Sequence, residues 1–462
     1  MTSQEQIAEL EKAKTSITLV QESLAAVPPA DVIHVSAGQS IQAAVDRAPD
    51  GATIAIEAAT YDEPLTLQKS VMLVPAQPLR HGRAARDTGV WITSAAEGTI
   101  TITGSGITVA GLGVTNREPS YDAVDITGSR VLIDRCTVVG DPAHGMRRGF
   151  LTHGATTKIL GCWVDDVFNL GRDTCCIGGW EMTEPPPARL RDFLRRAPAP
   201  SNVLVDDCYL RGGAETILYG GADTTSAAKI PEHITVTHST LTHNPAWYGM
   251  GVQIKTPLEL KCCRHVYIAD CTCEWAGVAE GQGAYLLVLT VRNQDGNAVW
   301  SCVEDVLIER CVFRHGGGGI NFLGYDDQYP SGELDGVTVR NCAFLEMNPA
   351  GPWQEFTGYW GSGRCTMFNN VGRTITLDAI TMDGVGMGAL GNFANVPKQP
   401  VGLTLRNWRY CPTEYGWKID DGGMDIPPAH ANISALMPDL AYEITATDAG
   451  AVGYPGEETI AP

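Results

Sequence analysis

A chain of 462 residues exceeds what one ordinary globular core organises, unless successive repeats pack only on their neighbours. Its 51 Gly, 27 Pro, 44% hydrophobic and 19% charged residues leave enough apolar surface to fold, and no apolar run is long enough to predict a transmembrane helix. The 33 basic and 53 acidic side chains give a formal charge of −20, which repels phosphate backbones and excludes nucleic acid as an expected partner.

The first element expected is a helix over residues 4–27. Leu10, Ala13, Ile17, Val20, Leu24 and Val27 alternate spacings of three and four, and Pro28-Pro29 stops the pattern. The seam predicts a single amphipathic helix lying on the flank of the domain that follows, or else a short coiled coil or a docking helix, with a homotrimer as the expected assembly. The opening MTSQEQIAELEKAK lacks a charged region followed by an apolar one, so no signal peptide is expected. Val32-Ile33-His34-Val35 reads as a strand. Ser40 then precedes IQAAVDRA, a short helix with Ile41, Ala44 and Val45 on one face, expected to cap an open end near residues 40–48. Pro49-Asp50-Gly51 is a turn, and ATIAIEAATY resumes as strand.

From there a short strand pattern recurs: ITVAGL, VLIDRC, KILGC, VLVDDC, ITVTHS, VYIADC, VLIERC, VTVRNC, ITLDAI and GLTLRN. Its equivalent positions are Leu112, Cys136, Cys162, Cys208, Ser239, Cys271, Cys311, Cys342, Ile380 and then Asn407 or Trp408. Alternation points one face of each strand inward, and stacking like strands places like residues over one another. A parallel αβ architecture needs crossover helices, which the Gly-, Asp-, Pro- and Thr-rich connections do not support. The expected fold is all-β: a right-handed parallel β-helix of about ten coils over residues 30–411, preceded by segment 1–29 and closed by an irregular segment 412–462 with YEITAT as a last strand. The 14 cysteines include no C-x-x-C pair. They read as buried free thiols packing the interior, in a chain made in a reducing compartment.

The stretch SIQAAVDRAPDGATIAIEAATYDEPLTLQKSVMLV resembles the opening of pectin-lyase-like right-handed β-helix proteins. RRGF at 147, GGAETILYGGAD at 212, LELKCCRHVYI at 258 and VLIERCVFRHGGGGINFLGYDD at 306 resemble a group of bacterial and phage β-helix repeat proteins. A helix ahead of a β-helix resembles phage tailspikes and virion appendages. That resemblance implies a virion or extracellular-surface protein assembled in a reducing cytoplasm, binding other virion proteins through residues 1–29 and a cell-surface polysaccharide through its coils. The alternatives are a carbohydrate-active enzyme (a polysaccharide lyase, a glycoside hydrolase or a pectinesterase-like protein) and a purely structural decoration protein.

Candidate chemistry is sparse. Against the pectin methylesterase pattern stand Asp173 and Glu215, two carboxylates expected on adjacent coils, with Glu where that family has Asp. Lys255, Glu259 and Lys261 have the spacing that puts side chains on one strand face, and form the lyase-like candidate. Arg292, Asn293, Arg314, His315, Asn321 and Trp275 follow in the next coils as candidate glycan-binding residues, with Trp247, Trp300, Trp353 and Trp360 in the same half of the chain. Phosphate loops, zinc-protease and EF-hand patterns are absent, and the histidines are isolated in sequence, so neither a cofactor nor a metal is expected.

Overall fold

The computed structural model describes residues 32–77, 89–169, 173–181, 199–248, 250–277, 284–347, 364–369, 372–383 and 401–410, with short strands at Trp417–Lys418, Asp425–Ile426 and Ala441–Ala446. The expected helix over 4–27 and its coiled-coil seam lie outside the described residues. So do Trp353, Trp360 and most of segment 412–462.

The repeat forms coils of three strands, as in Asp122–Ile126, Ser129–Asp134 and Thr137–Val139. The first strand of each coil belongs to a short sheet, the other two to a long sheet, and all pair in parallel with the next coil. The fold is the expected right-handed parallel β-helix. Almost no helix accompanies it: Ile41–Arg47 is the α-helix among the described residues. Ser40 caps that helix by accepting from the Ala43 N–H, and Ile41, Ala44 and Val45 are its buried face, as the sequence predicts.

The coils divide into two compact units. One comprises the chain up to Thr240 with Arg264–Tyr267; the other comprises Leu241–Cys263 and the chain from Ile268 onward. In the first unit, in-register columns fill the interior. Ile100, Val124, Phe150, Ile177 and Ile217 stack in the short sheet, and Val109, Ile133, Ile159, Val205 and Val236 in the long sheet. All are buried, and each such side chain contributes about 1.5–3 kcal/mol by leaving water. In the second unit Leu287 and Ile320 continue the same kind of column. Phe313 stacks on Phe344, and Phe322 on Phe368, at ring-centroid distances of 4.8 and 4.7 Å.

The ladder positions are the residues that follow each sharp corner between the two long-sheet strands. Arg135, Asp207, His238, Asp270, Arg310, Asn341 and Ala379 turn those corners with φ near +50°. Asn407 is another such corner residue, φ 53°, so the equivalent of the ladder there is Trp408. The ladder residues from Leu112 to Ile380 are all buried. Each thiol donates to the carbonyl two residues earlier, from Cys162 to Leu160 at 3.4 Å and from Cys208 to Asp206 at 3.3 Å, and the Ser239 hydroxyl does the same to Thr237 at 2.7 Å. Burial pushes the Cys136 thiol up to about 12. These cysteines are packing residues that close a corner, as expected.

A second corner explains the recurring Thr-Gly and His-Gly pairs. A Cβ on Gly128 would stand 1.9 Å from the Gly104 carbonyl oxygen, and one on Gly154 1.8 Å from that of Gly128. Successive coils touch backbone to backbone there, so glycine is required.

Candidate functional site

Alternation along the short-sheet strands turns Phe150 and Ile177 inward and Leu151 and Gly178 to the other face. On that outer face of the first unit, the position a Gly178 Cβ would occupy lies 2.7 Å from the Trp180 ring and 2.8 Å from Cys175 Sγ. Missing bulk at Gly178 thus makes room for Trp180. Arg148 lies over the same ring, its guanidinium carbon 4.8 Å from the ring centroid. Register sets Asp122, Arg148, Cys175 and Glu215 side by side on four successive strands. Arg148 Nη1 is 3.7 Å from Asp122 Oδ2, with the two side chains only 15% and 14% exposed. Glu215 is 1% exposed. Burial pushes the Cys175 thiol up to about 12, so it is a neutral wall of this cluster.

His153 supports Trp180 from the glycine corner. Its Nδ1 is 2.8 Å from the Trp180 carbonyl oxygen, and its ring meets the indole edge-on at 5.4 Å. Burial lowers its pKa to about 4, with the positive Arg148 adding to the effect. The neutral ring therefore donates from Nδ1, and Nε2 is a buried lone pair with no hydrogen-bond partner among the described residues. Beyond Trp180, Glu181 accepts from the Thr225 N–H at 2.6 Å and from its hydroxyl at 2.7 Å, tying two loops together beside the sheet.

In the second unit, Glu259 lies between the inward Leu258 and Leu260 and faces outward, opposite Val288 in the next strand, which pairs with Asn321 and then Met367. Lys261 Nζ is 3.4 Å from Glu259 Oε1; the side chains are 18% and 4% exposed. Asn369 Nδ2 donates to Asn321 Oδ1 at 2.9 Å, and the Tyr285 hydroxyl meets Met367 Sδ at 2.7 Å. This face presents an ion pair, a pair of amides and a phenol in one sheet.

The expected residues fall into several settings. The strand Thr256–Leu260 holds Glu259 alone; Lys261 follows it directly, and Lys255 precedes it with its carbonyl accepting from the Gly277 N–H. Asp173 is exposed just ahead of the strand Cys175–Gly179, while Glu215 is buried within the next strand. Arg292 pairs with Asp326 and Asp327. Asn293 is fully buried, donating to Pro330 O and accepting from the Ala298 N–H, and so ties a loop together. Burial alone would raise the pKa of Asp326, but the N–H groups of Asn293, Tyr329 and Gln328 and the Arg292 charge hold it below the usual carboxylate range. Arg314 pairs with Glu274 at 2.7 Å, and the His315 ring lies against Trp275 at 4.5 Å between centroids, tilted by 42°, while meeting Glu346. Trp247 is buried. Asp122, Arg148, His153 and Trp180 were not singled out from the sequence. The RRGF stretch around Arg148 is the one signal that could have led to them.

No protein-family model matches the chain, and no curated protein is similar to it in sequence. Solved structures do share its fold. A variant of the PL6-family alginate lyase AlyGC superposes with a TM-score of 0.54 at 12% identity, covering 90% of this chain and 53% of that one. Unmodified AlyGC gives 0.52 at 13%, covering 91% and 50%. The chain therefore spans about half the length of those lyase chains. The catalytic domain of a GH87 α-1,3-glucanase in complex with nigerose is more remote, with a TM-score of 0.45 at 12% identity, covering 84% of this chain and 69% of that one. These likenesses concern the fold.

Proposed function

We propose that this β-helix protein binds a polysaccharide along the outer face of its short sheet, with Arg148 and Trp180 as the grip in the first unit. One observation carries the reading. The outer face presents ionic side chains held at under one-fifth exposure: Arg148 with Asp122, and Lys261 with Glu259. Desolvating such groups is costly, so they rarely persist on a sheet face for stability alone. A guanidinium over an indole, flanked by a carboxylate, offers both the apolar plane and the charged donors that a sugar ring or a uronate carboxylate uses.

Alginate, on which the structural neighbour AlyGC is named for acting, is the leading probe; pectin, from the resemblance of the chain's opening to pectin-lyase-like proteins, and α-1,3-glucan complete the set. In gels containing each polysaccharide, at least one is expected to retard the protein, and Arg148→Gln to weaken that retardation about tenfold or more. No retardation by any of the three, or retardation unchanged in the variant, contradicts the reading. Cleavage of the bound chain is a second reading, favoured by Glu259 and Lys261. A carboxylate and an ammonium 3.4 Å apart and largely screened from water set the two side-chain types of a base and an acid next to each other on that face. Reducing ends released in the same gels report it. The appendage role and the trimer rest on residues 1–29; the solution mass of the chain with and without them tests both.

A further inference from the structure

The corner that leads from the short sheet into the long sheet is left-handed in coil after coil of the first unit. Arg130, Thr156, Asn202, His233 and His265 occupy it with φ between 53° and 58°. Its last two occupants are histidines, 32 residues apart in sequence and neighbours in space. Their rings lie parallel, 4.7 Å between centroids and 14° between planes. Glu232 precedes His233, and its Oε2 accepts from Arg264 Nε at 2.8 Å, which orients the carboxylate. One ring nitrogen from each histidine and a Glu232 oxygen all lie within 4.8 Å of one another. The three side chains are half-buried. His233 Nδ1 is itself buried, with no hydrogen-bond partner among the described residues.

We propose that Glu232, His233 and His265 form a binding site for a late first-row divalent cation such as Zn²⁺, Ni²⁺ or Cu²⁺. Two imidazoles and one carboxylate suit these ions, whereas Ca²⁺ and Mg²⁺ require oxygen ligands throughout. Nitrogen and oxygen ligands at about 2.0–2.2 Å from a tetrahedral ion stand roughly 3.4 Å from each other. The two rings therefore tilt toward one another on binding, which their half-exposed setting permits. Arg264 keeps the carboxylate aimed at the rings. The site is separate from the outer face of the short sheet and independent of the proposed glycan function.

The test uses the full chain stripped of metal by a chelator. Calorimetric titration with ZnCl₂ and NiCl₂ is expected to show one equivalent bound, and CaCl₂ none. His233→Asn and His265→Asn are suitable variants because asparagine accepts the left-handed corner, as Asn202 does. Each is expected to weaken binding roughly tenfold or more. The electron paramagnetic resonance spectrum of one equivalent of Cu²⁺ is expected to show coupling to two nitrogens in the unmodified chain and to one in each variant. That count on the unmodified chain is independent of how the variants fold. Coupling to fewer than two nitrogens, binding that survives the double variant, or a thiolate charge-transfer band with Co²⁺ overturns the assignment.

Discussion

Lys261→Met is expected to destabilise the protein by about 3 kcal/mol or more, and Lys261→Met combined with Glu259→Met to restore most of that loss. The single substitution removes the cation 3.4 Å from a carboxylate that is 4% exposed, leaving a charge with little water and no ammonium. The double substitution removes both charges and leaves two flexible apolar side chains, the one at position 259 opposite Val288, which is itself buried. Urea midpoints for the four proteins of this cycle measure both steps. A single variant as stable as the unmodified chain would show that the pair is effectively solvated. A double variant near or above the unmodified stability shows that the pair is not retained for the fold, which is what a working face requires.

Acidification is expected to reveal His153. Its folded pKa, about 4, lies below the ordinary value near 6.5, so the unfolded chain binds the proton first. The stabilisation is therefore fully present above about pH 6.5 and is lost as the pH falls through that value toward 4. The loss reaches about 3 kcal/mol at pH 4, from about 1.4 kcal/mol per unit of difference. The physical cause is the ring's setting. Nδ1 already donates to the Trp180 carbonyl, and a proton on Nε2 would be buried without an acceptor and close to Arg148. His153→Gln removes this titration, so its urea midpoint should fall less between pH 7 and pH 4 than that of the unmodified chain. Equal falls in the two proteins contradict the assignment of a neutral buried ring. Because His153 holds Trp180, the same acidification is expected to loosen the indole against which Arg148 rests.

Much of the fold is legible in the sequence because its determinants are local. Period-two apolar residues define each short strand, and a small residue after each corner must fit an interior column, so the cysteines mark their coils. The helix Ile41–Arg47 is equally plain from Ser40 and the spacing of Ile41, Ala44 and Val45. The working face is far less legible. Asp122, Arg148, Cys175 and Glu215 meet only through the register of four strands whose connections differ in length. Trp180 and His153 become partners only because Gly178 leaves space and the Gly154 corner brings the coils into backbone contact. Spacing did place Glu259 and Lys261 together, but the strand starts at Thr256 and leaves Lys255 outside it. The stacked pair His233 and His265 shows the same limit: nothing in either local sequence announces a neighbour one coil away.

Hydrogen exchange on the protein, with and without the polysaccharide that retards it, tests the central claim most directly. The account predicts slowed exchange in the strands Arg148–Thr152 and Cys175–Gly179 and around Trp180, with the long-sheet strands Ser129–Asp134 and Ala155–Leu160 unchanged. Protection confined to the long sheet, or none in the short-sheet strands at saturating polysaccharide, would contradict it.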